Sequence, residues 1–76
     1  MNNKIYLIFH RTKSHGDTLE TPHSTLTGAK NHFNDIRSYW ASKGCAIKEG
    51  TADDFTVAVP GSESITYFIN CRTVEV

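Results

Sequence analysis

A single stretch of this chain has helical periodicity, and the segments around it read as strand or turn. Leu26, Ala29, Phe33, Ile36 and Trp40 recur at spacings of 3, 4, 3 and 4. At about 100° per residue they fall within an arc of about 80°, one apolar stripe suited to packing on a sheet. Ser24 or Thr25 can accept from the exposed amides of the first turn, and Gly44 can take the left-handed position just after Lys43. Gly28 weakens the first half of such a helix by about 1 kcal/mol relative to Ala, which a close approach to another backbone would explain.

Strand signals flank the helix. Residues 4–11 are rich in β-branched and aromatic types, with Ile5, Leu7 and Phe9 facing one way and Tyr6, Ile8 and His10 the other. Two largely apolar faces predict a central strand. Residues 12–24 are polar and carry Gly16, Asp17 and Pro22, so they read as a loop with a short extended piece around Thr18, Leu19 and Glu20. After the helix, residues 45–49, 55–59 and 64–72 alternate as strands, the last with Ile65, Tyr67, Ile69 and Cys71 on one face. Turn-forming residues at 50–54 and 60–63 make them consecutive hairpins. Residues 73–76 either extend the last strand or form a brief fifth one. The expected fold is α+β, in the order β-α-β-β-β, with one helix on one face of a mainly antiparallel sheet of four to five strands. Residues 1–76 make one small domain, with no repeat and no linker.

Composition removes whole classes of function. Hydrophobic residues are 38% and charged residues 21%, a globular balance. The longest apolar run, Ile5-Tyr6-Leu7-Ile8-Phe9, is far short of the roughly 20 residues of a membrane-spanning helix and of a secretory signal's core. Cys45 and Cys71 allow one bridge at most; each sits in an apolar stretch, and two reduced core thiols are expected ahead of a disulfide, a metal site or a nucleophile. That usage favours an intracellular protein.

Catalytic signatures are sparse. The five glycines are scattered singly, and neither G-x-S-x-G nor H-E-x-x-H occurs. His10, His15, His23 and His32 match no zinc spacing with the two cysteines. Asp53 and Asp54 are the one adjacent acidic pair, and neighbours in a turn point apart. A dyad of Cys71 with His10 requires the first and last strands to pair. A body this small is also expected to lack the walls for a pocket of a few hundred Å³. The expectation is a non-enzyme without cofactor or metal.

The net charge of zero conceals an uneven layout. Residues 1–25 carry +1, residues 26–48 carry +3, and residues 49–76 carry −4. The acidic positions Glu49, Asp53, Asp54 and Glu63 fall at hairpin tips, while Lys30 and Arg37 share one flank of the helix with Asn34 beside them. Lys30, Asn34 and Arg37 suit a phosphate backbone or an acidic protein. Tyr6, Ile8 and Phe68 are expected to face outward on the sheet opposite the helix. Outward aromatics stack bases in RNA-binding sheets and anchor protein partners elsewhere. The glycine- and aromatic-rich fingerprint of the RNA-recognition sheet is absent, and a pI near 6.9 weakens the nucleic-acid reading further.

The helix start, Thr25-Leu26-Thr27-Gly28-Ala29-Lys30, has the form S/T-L-x-x-A-K. Together with the plan of one helix followed by an antiparallel meander, it resembles small phage and mobile-element proteins of the anti-CRISPR type. The helix here is longer than in that pattern, and the hairpin loops are acidic. The resemblance implies a stoichiometric inhibitor in the cytoplasm of a bacterial host, binding a CRISPR effector complex rather than a membrane. Glu49, Asp53, Asp54 and Glu63, with Tyr6 and Phe68, would then meet an effector subunit whose basic surface ordinarily holds nucleic acid. The rival is a small nucleic-acid-binding module using Lys30, Asn34 and Arg37, and a homo-oligomeric structural subunit is a third class.

Overall fold

The computed structural model describes residues 2–51 and 53–75. Strands β1 (Asn2–Thr12) and β2 (Gly16–His23) precede helix α1 (Leu26–Ser42), and β3 (Ala46–Glu49), β4 (Asp54–Ala58) and β5 (Ile65–Glu75) follow it. The five strands form one sheet in the order β2-β1-β5-β4-β3, with every neighbouring pair antiparallel. The α+β fold with one helix on an antiparallel sheet is as the sequence predicts. The stretch expected to be a loop at 12–24 is instead mostly strand β2. Its polar composition misled because β2 is an edge strand, largely exposed, and lacks the apolar alternation of a strand covered by a helix.

β1 is central, flanked by β2 and β5, and its ladder with β5 runs from Asn2 opposite Glu75 to Arg11 opposite Thr66. The last strand therefore continues through residues 73–75; Val76 lies outside the described residues, as does Ala52 in the turn before β4. The β1–β2 ladder begins only at Tyr6, and β4 pairs with β5 only over Ile65–Phe68. The ends of β1 and β5 thus continue as a two-stranded ribbon past the body, consistent with a longest dimension of 47 Å.

Strand parity decides which residues the helix covers. Ile8 (0% exposed), Phe55, Val57 and Tyr67 form the buried cluster beneath Phe33, which is 2% exposed. Ile36, Trp40, Cys45, Ile47, Val59, Ile65 and Ile69 pack around it. Phe33 meets Phe55 edge-on at 4.8 Å between ring centroids, and Phe55 stacks on Tyr67 at 5.3 Å. Such aromatic pairs add about 0.5–1.5 kcal/mol each beyond their buried area.

Two expectations about facing are corrected here. Ile8 is at the centre of the core, and Tyr6, two residues away, points to the same side of the sheet. The outward set opposite the helix is therefore the other row of β1, Ile5, Leu7 and Phe9, joined by Phe68. Both rows of β1 are apolar, so alternation alone could not say which one the helix would take. Leu26 belongs to the helical stripe but is 42% exposed in the first turn, beyond the packed part of the helix.

The helix ends follow local chemistry. Thr25 is the N-cap, and its hydroxyl accepts from the Gly28 N–H at 3.0 Å. Gly44 has φ of 80°, the left-handed conformation that ends a helix at low cost only for glycine, and its N–H donates to the Ala41 carbonyl. A Cβ on Gly28 would meet the side chains of Thr25 and His23, so the expected close backbone approach is a side-chain contact instead. Both cysteines are free; Cys45 is half-buried, whereas Cys71 is exposed because β5 has by then passed beyond the helix. Among the described residues no helix is long and apolar enough to cross a membrane.

Candidate functional site

Two surfaces carry recognisable chemistry, one on each face of the sheet. On the face away from the helix, Phe9 and Phe68 stand directly opposite each other and stack at 5.4 Å with 13° between ring planes. Leu7 precedes Phe9 by two residues, and Leu19 of β2 lies opposite Phe9, 48% exposed. Ile5 continues the apolar row along β1, but on β5 Asn70 and Arg72 stand opposite Leu7 and Ile5, and Val74, 39% exposed, lies beyond them opposite Asn3. The Arg11 guanidinium lies 5.0 Å from the Phe68 centroid while its Nε donates to Asp17 Oδ1 at 2.6 Å. That hydrogen bond and the charge of Asp17 raise Arg11 above its ordinary value, and the hydrogen bond from Arg11 lowers the Asp17 carboxyl.

On the helix face a cleft of about 300 Å³ opens between α1 and strands β2 and β5. Buried Tyr67 and half-buried Ile36 and Trp40 line it together with exposed Tyr39 and Asp35, and with His32 and Glu20. The cleft is wide open to solvent rather than an enclosed pocket. The walls come from the long helix, which spans the sheet as far as its β2 edge. A β-bulge supplies Glu20: the register jumps from Ile8 opposite Thr21 to Phe9 opposite Leu19, leaving Glu20 as the extra residue. At the bulge its carboxylate lies on the helix side, as does neighbouring Thr21, and Oε1 is 2.6 Å from His10 Nδ1. The Trp40 indole donates from Nε1 to the Tyr67 hydroxyl at 3.0 Å. Burial raises the Tyr67 phenol above the usual tyrosine value, against the lowering effect of that hydrogen bond.

Beside the cleft, the Thr21 hydroxyl lies 2.9 Å from His23 Nε2 and 3.3 Å from His32 Nδ1, and the two imidazoles meet edge to face at 5.3 Å. This cluster holds the start of the helix on the edge strand. No group of three or more potential metal ligands occurs among the described residues.

The residues singled out from sequence do not converge on one patch. Glu49 faces Arg37 at 3.0 Å, Asp54 Oδ1 accepts from the Thr51 N–H at 2.7 Å, and Glu63 accepts from the Ser14 hydroxyl at 2.6 Å. Glu63 follows β4, whereas Glu49, Asp53 and Asp54 gather at its start, so the acidic tips lie at opposite ends of that strand. The Arg37 guanidinium is held by Asn34 at 2.8 Å and by Glu49, and it lies 5.0 Å from the Phe55 centroid. Of the basic helix flank, Lys30 and Asn34 remain exposed at the surface while Arg37 is half-buried. β1 and β5 do pair, but Cys71 stands opposite Tyr6 and His10 opposite Tyr67, which separates the imagined Cys71–His10 dyad along the ladder. Comparison with known families, with curated proteins and with solved structures finds no match to this chain. The site must be read from its own chemistry.

Sequence reasoning missed the cleft. Its aromatic lining was hidden in the ordinary helical stripe, Ile36 and Trp40, and in a strand alternation, Tyr67. The signal that could have raised it was Glu20, one of two acidic residues in the 12–24 segment, ahead of a helix whose flank carries Asp35 and Tyr39.

Proposed function

We propose that this protein is a non-enzymatic, stoichiometric protein-binding inhibitor that docks through the uncovered face of its sheet. The observation that carries this reading is the cross-strand stack of Phe9 on Phe68, set among Leu7, Leu19 and Ile5 on a face that, among the described residues, no helix or further strand covers. Aromatic anchors at the centre of an apolar patch are the usual energetic focus of a protein interface.

The nucleic-acid alternative fits less well. Phe68 has Phe9 against its ring and Arg11 over it, so its π surface is already engaged within the protein and offers little to a base. Arg37, the strongest phosphate candidate on the helix, is engaged by Glu49 and Asn34.

An inhibitor of the anti-CRISPR type, acting on an effector subunit in a bacterial cytoplasm, is the specific form of this proposal. Its supports are the resemblance at the helix start, the compact scaffold and the acidic turn at Asp53 and Asp54, which suits a basic partner surface. Capture from a bacterial lysate, compared between the parent protein and Phe68→Ala, tests it. Specific capture of an effector subunit by the parent and its loss with Phe68→Ala is the expected result. Equal capture by both proteins would overturn the assigned face. Undiminished capture by the charge-reversed Asp53→Lys, Asp54→Lys protein would remove the acidic turn from the interface. A shift of labelled DNA or RNA that weakens steeply with salt would favour the alternative.

A further inference from the structure

The cleft on the helix face has a lining that the sheet-face reading does not use. Three aromatic side chains, Tyr39, Trp40 and Tyr67, meet two carboxylates, Glu20 and Asp35, around a space of about 300 Å³. The combination is selective in sign. Aromatic faces attract cations through the ring quadrupole, and carboxylates attract them by charge, so both parts of the lining favour the same ligand. The protein already shows this preference at the margin, where the Lys43 ammonium lies 5.4 Å from the Tyr39 centroid.

The hydrogen-bonding capacity of the lining narrows the kind of cation. Glu20 Oε1 is turned to His10 Nδ1, 2.6 Å away without forming a hydrogen bond, and Oε2 is left as an acceptor. Asp35, exposed one turn before Tyr39, makes no side-chain hydrogen bond or ion pair among the described residues. A quaternary ammonium has no N–H to give either carboxylate. A guanidinium has five N–H donors in one plane, and that plane also stacks on indole and phenol rings.

We infer that the cleft between α1 and β2 is a receptor for a guanidinium group, an arginine side chain presented by a partner, with the Trp40 ring against its plane, the Tyr39 ring at its edge because the two rings stand at 83° to each other, and Asp35 and Glu20 accepting its N–H groups. The bulge lets two consecutive residues face the helix side, Glu20 towards His10 and Thr21 towards His32, where a regular ladder would send one of them to the opposite face. The buried phenol of Tyr67 stays neutral at physiological pH and fixes the Trp40 ring through the indole hydrogen bond.

The test needs neither the partner nor the sheet face, so its outcome is separable from that of the proposed docking surface. The intact protein, isotopically labelled, is titrated with N-acetyl-arginine methylamide while the Trp40 indole N–H resonance is followed. N-acetyl-citrulline methylamide serves as the neutral isostere and tetramethylammonium as the cation without donors. The expected result is a saturable shift of the Trp40 signal in the millimolar range with the arginine probe alone. Asp35→Asn, an exposed change outside the core, should weaken it about threefold or more, the scale of a partly exposed charge pair. No saturable shift, an equal response to citrulline, or unchanged affinity in Asp35→Asn would overturn the inference. Equal or tighter binding of tetramethylammonium would overturn the guanidinium assignment.

Discussion

The indole N–H of Trp40 reaches the hydroxyl of Tyr67 at 3.0 Å, the one side-chain hydrogen bond between the helix and β5 among the described residues. It fastens the second half of α1 over a core that this short chain can only just afford. Tyr67→Phe keeps the ring in its stack on Phe55 and removes only the acceptor. The expected cost is about 1 kcal/mol, the usual net value of such a bond. In a domain of this size that corresponds to a fall in melting temperature of about 4–8 °C, read by circular dichroism.

The same phenol sets an alkaline limit. Burial raises the Tyr67 value in the folded protein above that of the unfolded chain. A group raised in this way contributes stability that is fully present below its unfolded value, about 10, and is lost as pH rises through the folded value. Absorbance at the tyrosinate band should therefore show a late ionisation step from Tyr67, together with loss of structure. In Tyr67→Phe that late, cooperative step should vanish; its persistence would assign the limit to another group.

The turn between β3 and β4 depends on a missing side chain. A Cβ on Gly50 would stand 1.8 Å from Asp54 Oδ1, the atom that accepts from the Thr51 N–H. Gly50→Ala must therefore expel the Asp54 carboxylate and break that turn bond, with an expected loss of about 1–3 kcal/mol, in the ordinary range for a disruptive substitution. Urea unfolding measures it. In an Asp54→Ala background the same Gly50→Ala change should cost much less, because the clash has been removed.

How far the fold could be read from the sequence depended on whether each signal was local. The helix ends at Thr25 and Gly44 lie in residue chemistry within one turn, and they are where the sequence places them. The identity of the covered face of β1 was not local. Ile8 and Phe9 are both strand-forming and apolar, and only the arrival of Phe33 over Ile8 separates core from surface. β2 was illegible for a related reason: an edge strand stabilised by its ladder with β1 needs no apolar alternation, so its residues resemble a loop. At the candidate sites, Phe68 was placed on the outer face correctly and Tyr6 was not, and Arg37 read as a free cation until Glu49 was brought to it by the β3 register. The bulge at Glu20 left no mark in the sequence at all.

Arg37 gives the last prediction, because its surroundings are half apolar. Its guanidinium lies 5.0 Å from the Phe55 centroid and 5.7 Å from that of Phe33, while its Nε is buried without a hydrogen-bond partner. Its counter-ion Glu49 is 58% exposed and therefore well screened by water. Two terms of opposite sign follow: Arg37 shields the edge of the core with its stem, and it holds one polar atom out of solvent without compensation. Arg37→Met keeps the stem contact and removes the uncompensated Nε, so stability should change by no more than about 1 kcal/mol and can rise. Arg37→Ala exposes Phe33 and Phe55 and should cost more than Arg37→Met. Glu49→Gln should cost no more than the roughly 0.2–1 kcal/mol of an exposed pair, and less at high salt. Urea titrations of the three variants at low and high salt separate these terms. A large loss in both Arg37→Met and Glu49→Gln would show that the ion pair, rather than the apolar stem, is what holds this edge of the core.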